Sequence, residues 1–182
     1  MFKLATIGTI IISLLTISEA KAADYPAIIL GQMTSTSVAA TVNVLNSATS
    51  EDNVIIYIDS QGGEYFAGLD VLAAMENSKA NVSCKVGSLA ASAAALVLLG
   101  CYNNITVPDS AAIVFHLPYY PGDNGEKIRD QQLSSHNLRI LEYKVCFSEI
   151  LGNKYSDYAT GGDVFLTGKE FKTLRKNGCL RK

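Results

Sequence analysis

The 182-residue chain is short of the features that mark several large functional classes. Lys+Arg number 15 against Asp+Glu 17, for a formal net charge of -2 and a pI near 5.7, so there is no basic footprint and nucleic acid is a poor partner. There are only two histidines, and none of the four cysteines is spaced as CxxC, which argues against a zinc site. No internal repeat, low-complexity tract or Pro-rich linker divides the sequence. A composition 48% hydrophobic and only 18% charged excludes collagen, coiled-coil and disordered-tail classes. What remains is an ordinary globular domain with material for a real core.

The N-terminus reads as a signal peptide over residues 1–22. Lys3 supplies a short charged region, Leu4 to Ile17 an apolar run, and Ala20-Lys21-Ala22 an A-x-A cleavage pattern before Ala23. Thr6, Thr9, Ser13 and Thr16 dilute a run already shorter than the ~20 apolar residues of a bilayer span. The expected domain is therefore 23–182, secreted or periplasmic. An oxidising compartment favours disulfides between Cys84, Cys101, Cys146 and Cys179. Local closure alone favours the pairs Cys84–Cys101 and Cys146–Cys179.

Strand and helix patterns alternate along the chain. Ala27 to Leu30 is a short apolar run stopped by Gly31, followed by Val38, Val42 and Leu45 at helical spacing. Val54 to Ile58 is continuous and β-branched, as expected of a strand buried on both faces, and ends in Asp59-Ser60-Gln61-Gly62-Gly63. A helix with Phe66, Leu69, Leu72 and Ala73 on one side comes next. Val82 to Val86 predicts a third strand, Gly87-Ser88-Leu89 a turn, and Ala90 to Leu99 a buried helix closed by Gly100. Asn104–Val107 and Ala112–His116 predict two short strands, and Glu126–Leu151 one long helix with Leu138, Leu141, Val145 and Leu151 on a stripe. The pattern predicts an α/β fold with a mainly parallel sheet, whose functional groups gather beyond the carboxyl ends of the strands.

Three loops fall at that edge. Ser92 stands near the start of the Ala-rich helix, where free backbone N–H groups and a partial positive charge suit a developing oxyanion. Gly62-Gly63 ends the neighbouring strand with backbone able to approach a carbonyl oxygen closely. His116 closes the Ile113-Val114-Phe115 strand and is the side chain best suited to activate a serine near neutral pH. An acid could orient its imidazole, and Asp163, Asp157 and Asp123 compete for that role. His136 sits in a polar helical pattern and reads as a solvated surface residue.

Taken together these segments resemble the proteolytic subunit of Clp proteases and the wider Clp/crotonase superfamily. The resemblance lies in Ile28 to Gly31, in Tyr57-Ile58-Asp59-Ser60-Gln61-Gly62-Gly63 against Y-I-N-S-P-G-G, and in Ala90-Ala91-Ser92 against A-A-S. It continues through Val107-Pro108-Asp109-Ser110 against L-P-N-S, His116 itself, and Asp163-Val164-Phe165-Leu166-Thr167 against D-R-F-L-S. Gln61 stands where the family has proline, and Ala93-Ala94 where it has Met-Gly.

The resemblance implies repeated β-β-α/βα units with a protruding long helix. It also implies Ser92 as nucleophile, His116 as base, Asp163 as orienting acid, and the N–H groups of Gly63 and Ala93 as oxyanion hole. Gly62, Leu117 and Pro118 would form a substrate loop, and Glu126–Leu151 the "handle" through which a homo-oligomer packs. No metal or organic cofactor is implied. The expected activity is an exported, ATP-independent serine peptidase acting on peptides or unfolded protein, without an unfoldase partner. Two other readings stay open: a catalytically silent scaffold that binds peptide or a partner by strand addition, and the same superfamily fold used for acyl thioesters or as a Ser/Lys peptidase with Lys85 or Lys79 as base.

Overall fold

A computed structural model describes residues 22–101 and 104–175. All of the predicted signal peptide but Ala22 lies outside these residues, as does Cys179 and with it the expected Cys146–Cys179 pair. The chain runs β1 (Asp24–Met33), α1 (Ser35–Ser47), β2 (Asn53–Gly63), α2 (Tyr65–Asn77), β3 (Asn81–Ala91) and α3 (Ala93–Gly100). These three strand–helix units form a parallel sheet in the order β1-β2-β3. Two short strands, β4 (Ile105–Thr106) and β5 (Ala112–Phe115), add to β3 in parallel. The second half contains a hairpin, β6 (Tyr119–Pro121) and β7 (Lys127–Arg129), then α4 (Gln131–Val145), α5 (Phe147–Leu151) and α6 (Tyr155–Thr160). β8 (Val164–Thr167) returns antiparallel to β5 and leads into α7 (Gly168–Arg175).

The mainly parallel α/β architecture is the one expected, but several local readings are corrected. β2 is buried on one face only: Val54, Ile56 and Ile58 enter the core while Tyr57 is 41% exposed. The all-apolar run concealed a strand of period two. β1 repeats this, with Ile28 and Leu30 on the open face, 55% and 61% exposed. The helix α2 buries Ala67, Gly68, Val71, Leu72, Ala74 and Met75 and leaves Phe66 exposed. Small residues at Ala67 and Gly68 let α2 approach α3; a Cβ on Gly68 would sit 3.2 Å from Ala93 Cβ.

Gly87-Ser88-Leu89 does not end the third strand. Ile58 pairs with Val86 and Ser60 with Ala90, so these three residues bulge opposite the single residue Asp59 and β3 continues to Ala91. The Asp59 carboxylate fills the gap, with Oδ1 accepting from Ser88 N (3.2 Å), Ser88 Oγ (2.8 Å) and Leu89 N (3.0 Å). The Ser88 hydroxyl in particular holds this carboxyl below its ordinary range. That stabilisation is present above the ordinary carboxylate range and is lost as pH falls through the lowered pKa. Asp59→Ala should therefore lower stability at neutral pH by about 1 kcal/mol, given the group's exposure. Chemical denaturation across pH checks this: the difference from wild type should shrink in acid, and a pH-independent difference would contradict it.

The predicted long helix Glu126–Leu151 is also corrected. Its first residues form β7, the second strand of the hairpin, and Asp130 caps α4 by accepting from Leu133 N at 2.9 Å. The helix then stops at Cys146, whose left-handed backbone (φ 49°) turns the chain into α5. Glu142 secures the break by accepting from Ser148 N and Ser148 Oγ, both at 2.9 Å. Beneath β5, Phe115 packs edge-on against Phe147 (centroids 4.9 Å), which meets Tyr158 at 5.1 Å, so an aromatic core anchors the strand end.

Candidate active site

Ser92 follows β3 directly and caps α3 in a conformation rare for a residue with a side chain, φ 57° and ψ -126°. Such strain persists only where surrounding structure enforces it. Here Ser92 N donates to Val114 O on β5 (2.9 Å), and Leu96 N donates to Ser92 O (3.1 Å). The chain is thus pinned to the sheet on one side and committed to the helix on the other. The Ser92 hydroxyl makes no capping bond and faces a cleft of about 620 Å³.

Gly62 and Gly63 press against that elbow. A Cβ on Gly62 (φ 86°) would lie 2.5 Å from Ala91 O and 2.6 Å from Ser92 Cβ, and one on Gly63 (φ 155°) 2.1 Å from Met33 O. Both positions need glycine for the conformation and for the space. Ser60 shapes the approach, with Oγ donating to Gly31 O and accepting from Gly62 N at 2.9 Å. Gly62, Gly63, Ser92 and Ala93 all line the cleft, placing two runs of backbone beside the hydroxyl at the positive end of α3.

His116 enters the same cleft from the end of β5. Its Nδ1–H donates to Leu117 O at 2.9 Å, since a carbonyl only accepts. In the neutral ring this leaves the Nε2 lone pair as the basic site. Leu117, expected in the substrate loop, instead buries its side chain and contributes only this carbonyl; Pro118 does line the cleft.

Asp163 lies just before β8. Phe115 pairs with Val164, so continuing the antiparallel register by one residue sets His116 opposite Asp163. Asp123 lies between the strands of the hairpin, and Asp157 lies on α6, where its carbonyl accepts from Gly162 N at 2.6 Å; neither continues the β5–β8 register as Asp163 does. Yet no hydrogen bond joins His116 to Asp163. The Asp163 Oδ2 instead accepts from Lys127 Nζ at 2.8 Å, and Lys127 stands 4.9 Å over the Tyr119 ring. Neither Lys85 nor Lys79 lines the cleft, and Lys85 lies 5.5 Å over the Tyr57 ring.

The cleft contains residues that sequence reasoning passed over. Tyr65 and Asn137 line it, with Asn137 Oδ1 accepting from the buried Tyr158 hydroxyl and Tyr65 OH meeting His136 Nδ1 at 3.2 Å. His136 is solvent-exposed as expected but is thereby tied to α2. Burial pushes both tyrosine pKa values up. Asn137 did leave a signal: Ser134, Asn137, Leu141 and Val145 fall at helical spacing, so two polar residues share the buried stripe. Lys127 left none, because it depends on a hairpin that the sequence pattern concealed.

A parallel sheet ending in a serine elbow, a glycine pair and a strand-end histidine defines an α/β protein of the Clp/crotonase-like type. A family model described as "Clp protease" matches residues 21–155. This chain belongs to the Clp protease family. The match covers Ser92 and His116 and ends before Asp163. Among curated proteins, the chain is 30% identical over 148 residues to the ATP-dependent Clp protease proteolytic subunit 3, chloroplastic, of Arabidopsis thaliana, covering 77% of this chain and 46% of that protein. It is 26% identical over 142 residues to the ATP-dependent Clp protease proteolytic subunit of Chara vulgaris, covering 71% and 61%. The chain thus spans about half the length of these relatives. The structure of a point mutant of ClpP1 from Listeria monocytogenes shares the fold with a TM-score of 0.63 at 21% identity, over 82% of this chain and 86% of that one.

Proposed function

We propose that this protein is an exported serine peptidase that hydrolyses peptide bonds without ATP. The observation that carries the reading is the strained Ser92 elbow, packed against the Gly62-Gly63 backbone and sharing one cleft with the Nε2 side of His116. Ser92 Oγ attacks the substrate carbonyl while His116 Nε2 takes its proton. The N–H groups of Gly63 and Ala93 bind the oxyanion, and His116 returns the proton to the leaving amine. Water, activated by the same imidazole, then releases the acyl group. Asp163 orients the imidazolium when it replaces the Leu117 carbonyl at Nδ1.

Export is supported by the charged, apolar and A-x-A elements of residues 1–22 and by the Cys84–Cys101 disulfide, which suits an oxidising compartment. Outside the reach of a cytosolic unfoldase, the substrates are peptides and unfolded segments that enter the cleft unaided. Family membership and an open sheet face bearing Ile28, Leu30 and Tyr57 support a homo-oligomer, since parallel sheets are ordinarily covered on both sides.

One observation favours a silent binding scaffold instead: His116 and Asp163 each bond elsewhere. Peptide-library digestion without nucleotide separates the two. The peptidase reading predicts new peptide termini that vanish in His116→Ala and persist in Lys85→Ala. A scaffold would bind the library equally before and after Ser92→Ala and generate no termini.

A further inference from the structure

The residue that engages the proposed acid comes from a segment with no part in the chemistry. The β6–β7 hairpin begins at Tyr119, three residues after His116. Tyr119 on β6 lies 5.1 Å from the His116 ring, and across the hairpin Pro121 pairs with Lys127. Lys127 Nζ then bridges two groups, resting over Tyr119 and donating to Asp163 Oδ2. Arg129, two residues on, donates to Gly161 O, two residues upstream of Asp163. The hairpin therefore grips the Asp163 segment at two points, once through the carboxylate and once through the backbone.

The geometry points to Lys127 as a restraining residue that sets how available Asp163 is to His116, an inference that rests on the peptidase reading above. The β5–β8 register ends at Phe115 opposite Val164, the neighbours of His116 and Asp163, yet the imidazole Nδ1–H goes to Leu117 O while the carboxylate goes to Lys127. Each bond satisfies a group that the triad needs, so neither is left to drive the other into place. In the exchange Lys127 releases one oxygen and the imidazole turns from a carbonyl to a carboxylate. Lys127 acts through Asp163 and touches no reacting atom.

The ion pair is partly open to solvent, with 44% of the Lys127 side chain and 30% of the Asp163 side chain exposed. Such pairs are weak and screened by salt, so the restraint shifts a balance rather than closing a gate. Any ligand or neighbouring protein segment that draws Lys127 away, such as an acidic group reaching the hairpin, would favour the triad. A substrate lying along the cleft meets this hairpin directly, because Tyr119, Tyr120 and Pro121 form part of its wall.

The test compares the rate of Ser92 modification by a fluorophosphonate in wild type, Lys127→Met and Lys127→Arg, each checked for wild-type melting. Lys127→Met should react roughly twofold to fivefold faster, the range an exposed ion pair allows. Lys127→Arg should remain at the wild-type rate, because it keeps the charge on Asp163. Raising sodium chloride should speed wild type toward Lys127→Met while leaving Lys127→Met unchanged. Equal rates in wild type and Lys127→Met, with labelling still dependent on Ser92, would overturn the restraint and leave the peptidase reading intact. Failure of every protein to label, Lys127→Met included, would overturn both.

Discussion

Ser92→Ala should lower kcat/KM for peptide hydrolysis by a factor on the order of 10³ or more while leaving the fold almost untouched. The activity loss is large because the hydroxyl is the only atom that forms a covalent bond to substrate in the proposed route, and attack by water from the same cleft is far slower. The structural cost is small because the hydroxyl makes no capping bond. The elbow is held instead by backbone bonds from Ser92 N to Val114 O and from Leu96 N to Ser92 O, and alanine retains both. Its left-handed backbone is strained for serine and alanine alike. Steady-state kinetics beside thermal melting checks both halves. Retained turnover would remove Ser92 from the mechanism, whereas unfolding would show that the hydroxyl holds the elbow together.

Removing the Cys84–Cys101 disulfide, as Cys84→Ala with Cys101→Ala, should cost about 3 kcal/mol of unfolding free energy. The bridge joins the middle of β3 to the end of α3 across 17 residues, and both cysteines are almost fully buried. Within that loop lie the Asp59-bound bulge, Ser92 and the whole of α3. α3 is the central helix of the molecule, touching β2, β3, β5, α2 and α4, so loosening its end exposes apolar surface on several sides. Urea unfolding monitored by circular dichroism reads the loss directly. Unchanged stability would mean that packing alone holds β3 and α3 together.

These consequences were unevenly legible in the sequence. The three strand–helix units could be read because β-branched runs alternate with segments of helical spacing, and because Gly62 and Gly63 end the second strand; Gly31, read as a stop, is instead a bulge through which β1 continues to Met33. Which face each strand buries could not, since Val54 to Ile58 is apolar throughout and only packing distinguishes Tyr57 from Ile56. The bulge at Gly87-Ser88-Leu89 looked like a turn, as it supplies turn residues; only the Asp59 carboxylate across the strand turns it into an interruption of a continuing one. The Glu126–Leu151 helix failed at Cys146 because no glycine or proline marks the break.

For the site, Ser92, the glycine pair and His116 could be placed near one another from strand order. Asp163 could not be separated from Asp123 and Asp157 by spacing, because its position depends on the antiparallel return of β8 beside β5. The tie between Tyr65 and His136 on the cleft wall, and the engagement of Asp163 by Lys127, arise from contacts between residues 71 and 36 apart. Short sequence motifs contain no information at that range.

The central claim is that Ser92 is an activated nucleophile with His116 as its base. The most direct measurement is fluorophosphonate labelling of the folded, processed protein, with the adduct mapped by mass spectrometry of its peptides. A single adduct on the peptide containing Ser92, absent from both Ser92→Ala and His116→Ala, is the predicted result. An adduct that persists in His116→Ala would contradict the assigned base, and a folded protein that acquires no adduct at Ser92 would contradict the claim itself.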